Sequence, residues 1–258
     1  MATAHDQGKA DIGTIATASL VGTAIEWYDF FIFSSLTPIV FNSLFFPSDN
    51  QLLSDLLAYA TFAAGFIVRP LGGILFGHFG DRIGRKRLLV FSLTLMGLGT
   101  FLIGMLPTYK QVGLWAPIVL LSLRVVQGLA LGGEWGGAVL MTFEFAKPGR
   151  RALYSSIPQI GLALGLAVGS GGIALLSGAL SNEAFLSWGW RLPFLASFLL
   201  LAVGLYIRTR VPETPEFDRL KKAGRIARVP VAEVLARHKM PIALGLGANL
   251  IMCNMRLR

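Results

Sequence analysis

Among the ionisable residues inside the apolar stretches of this chain, four have the types and spacing to do chemistry. Glu26 and Asp29 lie in Glu26-Trp-Tyr-Asp29, and Arg124 and Glu134 lie ten residues apart further on. Residues three apart share a helix face, so the two carboxylates of the first stretch point the same way. Glu26 sits about 18 Å along a helix begun at residue 14, near the middle of a bilayer. Arg124 lies about ten residues into its own stretch, at a similar depth, with Glu134 rotated by about 80° and displaced by ~15 Å along the axis. A charge at that depth costs about 2.5–3.5 kcal/mol on insertion scales. Such groups therefore face water or one another. Two readings follow: binding of a proton or solute, or a static ion pair holding two helices together. Arg69, before Pro70, either lines the same cavity or reaches the membrane interface by extending its side chain. Glu144 reads as a structural partner of nearby basic turns.

The elements that must position these residues are long apolar helices. Of the 258 residues, 54% are hydrophobic and 14% charged, against about 25% charged in an ordinary soluble domain. Six apolar stretches run over 14–41, 54–79, 88–106, 114–145, 153–180 and 190–207, and a seventh begins near Pro241. Each of the six is long enough for a helix across the ~30 Å hydrocarbon core. None alternates as a barrel strand would. The expected fold is thus an all-α polytopic membrane protein with six spans, arranged as two three-helix inverted repeats, plus the start of a seventh. The expected divisions are a tail over 1–13, a six-helix bundle over 14–207, a loop over 208–240 and a seventh helix over 241–258.

The net charge of +9 is a topology signal. Seventeen of the 23 Lys and Arg residues lie in the tail, in the turns 80–87 and 146–152, and in the segment 208–240; the connections of opposite parity hold Lys110 and Arg191. That asymmetry places the first group in the cytoplasm and argues against nucleic acid as a partner. A single cysteine, Cys253, excludes an internal disulfide, and His5, His78 and His238 lack ligand spacing, so no metal and no cofactor is expected. No His-Glu-x-x-His or other catalytic constellation marks an enzyme.

The stretch Gly77-His-Phe-Gly80-Asp81-Arg82-Ile-Gly84-Arg85-Lys86-Arg87 is a tight, basic helix–helix turn. It resembles the signature loop between helices two and three of the major facilitator superfamily. Arg124-Val-Val-Gln127-Gly128, followed by Gly132-Gly133-Glu134, resembles that superfamily's fourth-helix motif. Glu26-Trp-Tyr-Asp29-Phe-Phe, Gly189-Trp-Arg191-Leu-Pro193-Phe and Arg210-Val-Pro212-Glu213-Thr-Pro215-Glu-Phe217 narrow the resemblance to the metabolite:proton symporter branch. The resemblance covers about residues 14–248. It implies half of a twelve-helix fold in the cell (inner) membrane, and proton-coupled symport of a small organic acid or zwitterionic metabolite. It implies a cytoplasmic gate motif of Gly77, Gly80, Asp81, Arg82, Gly84, Arg85 and Lys86. Glu26, Asp29, Arg124 and Glu134 become candidates for substrate or proton binding, and Arg69 and Gln127 for lining the cavity. Arg256 and Arg258 stand where the seventh helix would continue. The sequence therefore reads as an incomplete chain, with a non-transporting fragment or half-transporter as the alternative.

Gly161, Gly165 and Gly169 repeat every four residues, the period that lets two helix backbones approach closely. They read as a packing face.

Overall fold

The computed structural model describes residues 12–213 together with Phe217, Arg219 and Met240; the side chains of Asp81 and Trp135 lie outside that description. Most of the tail and of the 208–240 segment, the 241–258 segment, His5, His238 and Cys253 also lie outside it.

Every described element is helical. Helix α1 spans Ile12–Leu36 and runs on through a π turn, Thr37–Phe41. Asn50 opens α2, Gln51–Ile67, by accepting a hydrogen bond from the Leu52 amide at 3.0 Å, which satisfies one of the orphan donors of a helix start. A break at Val68 separates α2 from α3, Arg69–Ile83. Pro70, which lacks an amide hydrogen, is tolerated there because it stands in the first turn of α3. Gly84, with φ +107°, makes the turn into α4, Arg85–Met105. Helices α5, Trp115–Phe145, α6, Arg151–Ala179, and α7, Arg191–Thr209, complete the bundle.

Among the described residues, five segments are long and apolar enough to cross a membrane: Gln51–Gly80, Arg85–Met105, Trp115–Phe145, Pro148–Ala179 and Arg191–Thr209. Helix α1 has the length, about 37 Å for 25 residues. It carries Glu26 and Asp29, and its first half is rich in Thr, Ser and Gly. The outer faces are greasy: Leu175 is 77% exposed, Ile67 74% and Leu199 69%. Apolar exposure on this scale marks a surface made for lipid.

Helix α1 packs most closely on α6, α3 on α5, and α4 on α7. The α6 glycine stripe lies against α1. A Cβ on Gly161 would stand 2.8 Å from the Ala24 nitrogen, and one on Gly165 would stand 2.7 Å from that of Tyr28. These glycines form the packing face that their spacing predicts. One end of the bundle is closed by Phe33, Phe41, Phe45, Trp190 and Phe194. Arg191 fastens α7 there by donating to the Gly104 and Leu106 carbonyls at 2.8 and 2.7 Å. The other end gathers the start of α1, the Gly84 turn and the last turns of α5 and α7, around Ile15, Ala18, Leu89, Met141 and Val211. This second end holds the basic turns.

Candidate functional site

Asp29 sits midway along α1 and is 2% exposed. Its Oδ1 accepts from Thr100 Oγ1 at 2.5 Å and from Gln127 Nε2 at 3.2 Å. Its Oδ2 accepts from Arg124 Nη1 at 3.1 Å. Arg124 also donates to Gln127 Oε1 at 3.0 Å and stacks on the Phe33 ring at 3.5 Å. Gln127 can reach this position because Gly99 leaves it room on α4. Three helices, α1, α4 and α5, thus converge on one carboxylate. A buried charge is tolerable when paired and hydrogen-bonded in this way.

Beside the pair lies a cavity of about 10 Å³, bounded by Asp29, Phe62, Phe66, Arg69, Arg124 and Gln127. That is room for about one water molecule. Arg69 stands on its far wall with its guanidinium 4.2 Å from the Phe66 ring.

Glu26 and Asp29 leave α1 toward different neighbours. Glu26 is 5% exposed, and its Oε2 has no hydrogen-bond partner among the described residues. Glu134, also buried, accepts from Ser92 Oγ at 2.5 Å and is ion-paired with Arg208. The pair fits against α1 at Gly22, whose missing side chain leaves space for the Arg208 guanidinium. The sequence reading assigns Arg208 to the cytoplasmic loop, and the structure corrects this. Arg208 is in the last turn of α7 and is buried. The signal was present in the buried face of α7, where Phe194, Ser197, Leu201, Gly204 and Arg208 recur at spacings of three and four.

The basic turn forms a third cluster. Glu213 Oε1 accepts from the amides of Arg85 and Lys86 at 3.0 and 3.1 Å. It thereby caps the start of α4, where a negative charge is favoured. The Arg85 guanidinium pairs with Glu144, and Lys86 Nζ donates to the Thr209 carbonyl at 2.7 Å. Glu144 is therefore the structural partner of the basic turn. Arg82 is exposed, a Cβ on Gly80 would touch Leu88, and Gly77 faces open space. The part expected of Asp81 falls on a side chain outside the described residues. Glu213→Ala is expected to cost the turn about 1 kcal/mol, as the loss of a helix cap does. Faster amide exchange at Arg85 and Lys86 would register it; unchanged exchange would deny the cap.

Sequence reasoning missed Ser92 and Thr100, since a lone hydroxyl in an apolar helix carries no periodic signal. It named Glu213 without a role and passed over Gly22.

The helical bundle, its lipid-suited exterior and its buried charged network define a polytopic membrane protein. Residues 14–235 match the family described as sugar (and other) transporter. The chain belongs to that family, within the major facilitator superfamily, and the family is one of transporters rather than enzymes. It is 45% identical to the inner membrane metabolite transport protein YhjE of Escherichia coli K12, over 93% of this chain and 56% of that protein. It is 44% identical to the shikimate transporter of the same strain, over 92% of this chain and 56% of that one. A solved structure of the xylose transporter XylE from E. coli, partially occluded and inward open, superposes with a TM-score of 0.72 at 20% identity. That match covers 83% of this chain and 51% of XylE, and it shows the shared fold. The chain spans about half the length of the relatives it matches.

Proposed function

We propose that this chain forms the first half of a secondary active transporter carrying a small organic acid or zwitterionic metabolite together with a proton. The observation that carries this reading is the Asp29–Arg124 pair, sealed by Gln127 and Thr100 beside a water-sized cavity. A proton on Asp29 would cancel its attraction for Arg124. The guanidinium would then be free for an anionic group of the solute, as its planar fork suits. Proton and solute would thus bias two conformations through their different affinities for each.

In this reading α1 is a span, making six with the five segments above. The six form two three-helix inverted repeats: α1, α2/α3 and α4, then α5, α6 and α7. The packing supports it. Exchanging the repeats turns the α1–α6 contact into the contact of α5 with α2/α3, and turns the α4–α7 contact into itself. The charge asymmetry supports a cytoplasmic N-terminus, in the inner membrane. The turn from Gly77 to Lys86 acts as the cytoplasmic gate, held by Glu144 and Glu213. The partners are the solute, the proton and the lipid bilayer, with no nucleic acid.

The test is uptake by proteoliposomes holding this chain together with the second half of the shikimate transporter. An imposed inward proton gradient should drive accumulation of labelled shikimate, and Asp29→Asn should abolish the dependence on the gradient. Undiminished pH-dependent uptake would remove Asp29 from coupling. A second reading is a half-transporter that inserts without catalysing uptake by itself. Robust uptake by the purified chain alone would refute that one.

A further inference from the structure

The Asp29 centre leaves a second group of buried charges unused. Gly22 and Glu26 are one turn apart on the same face of α1. Against Gly22 lie Arg208 of α7 and Glu134 of α5, so both stand within a turn of Glu26. Three polar atoms in this layer are buried and unpartnered among the described residues: Glu26 Oε2, Thr23 Oγ1 and Arg208 Nη1. Their residues are 5%, 1% and 5% exposed. The other Arg208 nitrogen, Nη2, is held by Glu134. Among the described residues, the charged groups that face Glu26 are Glu134 from α5, Arg69 from α3, Arg208 from α7 and Asp29 on its own helix. None of them forms an ion pair with it among the described residues.

A lone ionised carboxylate in such surroundings would be very costly, and a group so placed neutralises instead. Glu134, by contrast, has partners: the Arg208 guanidinium and the Ser92 hydroxyl. A second cavity of about 10 Å³ lies between Ser19, Lys86, Met141 and Arg208. It is on the side of the basic turns and has room for about one water. It borders the Arg208 layer and is separate from the cavity beside Asp29.

The geometry points to a second proton-binding site, formed by Glu26, Glu134 and Arg208, in which Glu26 carries the proton and Arg208 is the switching partner. Its step is simple. The Glu26 O–H bond breaks and the proton leaves to water on the basic side. The guanidinium, charged throughout, turns its free Nη1 N–H onto the new carboxylate while Nη2 keeps Glu134. Two carboxylates then share one cation, and the returning proton reverses the exchange. Arg208 is a positioning residue here; the proton itself is held by Glu26. The site rests on the transport reading only for its purpose, since the binding of the proton can be observed without transport.

The experiment is infrared spectroscopy of the full chain in lipid bilayers at neutral pH. We expect a carbonyl band of a neutral, buried carboxylic acid, lost in Glu26→Gln and kept in Asp29→Asn. Arg208→Gln should add a second such band, as Glu134 loses its counter-charge, and Arg208→Lys should restore the original spectrum. Titration of 13C-labelled glutamate carboxyls in the unsubstituted chain gives the same readout without relying on any variant's folding. One glutamate should give the signal of a neutral carboxyl at neutral pH. Absence of the band and of that glutamate, or a band indifferent to Glu26→Gln, would overturn the site. If the band is present and uptake fails, the site stands and the transport reading falls. If the band is absent while Asp29-dependent uptake persists, the site falls alone.

Discussion

Replacing Arg124 with Met is expected to lower the folding stability of the chain by about 3–5 kcal/mol, the scale on which a buried ion pair reports the loss of one partner. The substitution keeps length and apolar bulk. It leaves Asp29 with Thr100 and Gln127 as donors and no ion-pair partner among the described residues. It also takes the cation off the Phe33 face. Arg124→Lys should fall between, because an ammonium cannot serve Asp29, Gln127 and the ring together as the planar guanidinium does. The decisive variant is the double one. Asp29→Asn with Arg124→Met removes both charges, and a buried pair replaced by uncharged groups of similar volume is often near neutral. The double variant should therefore be more stable than Arg124→Met alone, with a coupling of ~1–3 kcal/mol in the mutant cycle. Denaturant unfolding of the purified chain in detergent measures all four corners. Additive single effects would mean that Asp29 and Arg124 do not act as a pair.

The depth of these charges was legible in the sequence; their partners were less so. Glu26, Asp29 and Arg124 announce themselves because ionisable groups are rare in apolar stretches, and counting from a span's start fixes how deep each one lies. Counting does not fix azimuth finely enough. Glu26 and Asp29 share a broad face of α1, yet the 60° between residues three apart sends Asp29 to Thr100 and Gln127 and Glu26 toward the Arg208 layer. Arg208 was assigned to a loop because a polar, basic segment follows it. The three-and-four spacing of the buried face of α7 runs through it all the same. Glu213 lies 128 residues from the Arg85 amide it caps, and no local pattern connects a loop carboxylate to a helix start so far away. The break between α2 and α3 had its signal in Pro70, and the closeness of α6 to α1 had its signal in three glycines. Both are backbone effects with a sequence period or a missing donor behind them.

Backbone closeness is also where the second large effect is expected. Gly128→Leu should destabilise the bundle by ~3 kcal/mol or more, at the upper end of what overpacking costs. At residue 128 a Cβ alone would come within 2.1 Å of the Gly65 carbonyl oxygen, so no rotamer of the new side chain relieves the clash. The same seam repeats along α5. A Cβ on Gly132 would stand 2.2 Å from the Arg69 carbonyl oxygen, and one on Gly72 would stand 2.1 Å from that of Leu129. Helix α5 therefore meets α2 and α3 backbone to backbone, as helices packed through small residues do. Forcing this seam open moves Phe66 and Arg69 away from Arg124, and these residues are opposite walls of the cavity beside Asp29. The variant should accordingly lose the ordered Asp29–Arg124 pair together with stability. Gly171→Ala and Gly172→Ala provide the contrast, since a Cβ at either position meets nothing within 4 Å. They should be neutral or stabilising by up to about 1 kcal/mol, the helical advantage of alanine over glycine. Thermal melts of the three variants separate the cases. A Gly128→Leu chain as stable as the original would mean that α5 does not lie against α2 at backbone distance, and the cavity wall built on that seam would go with it.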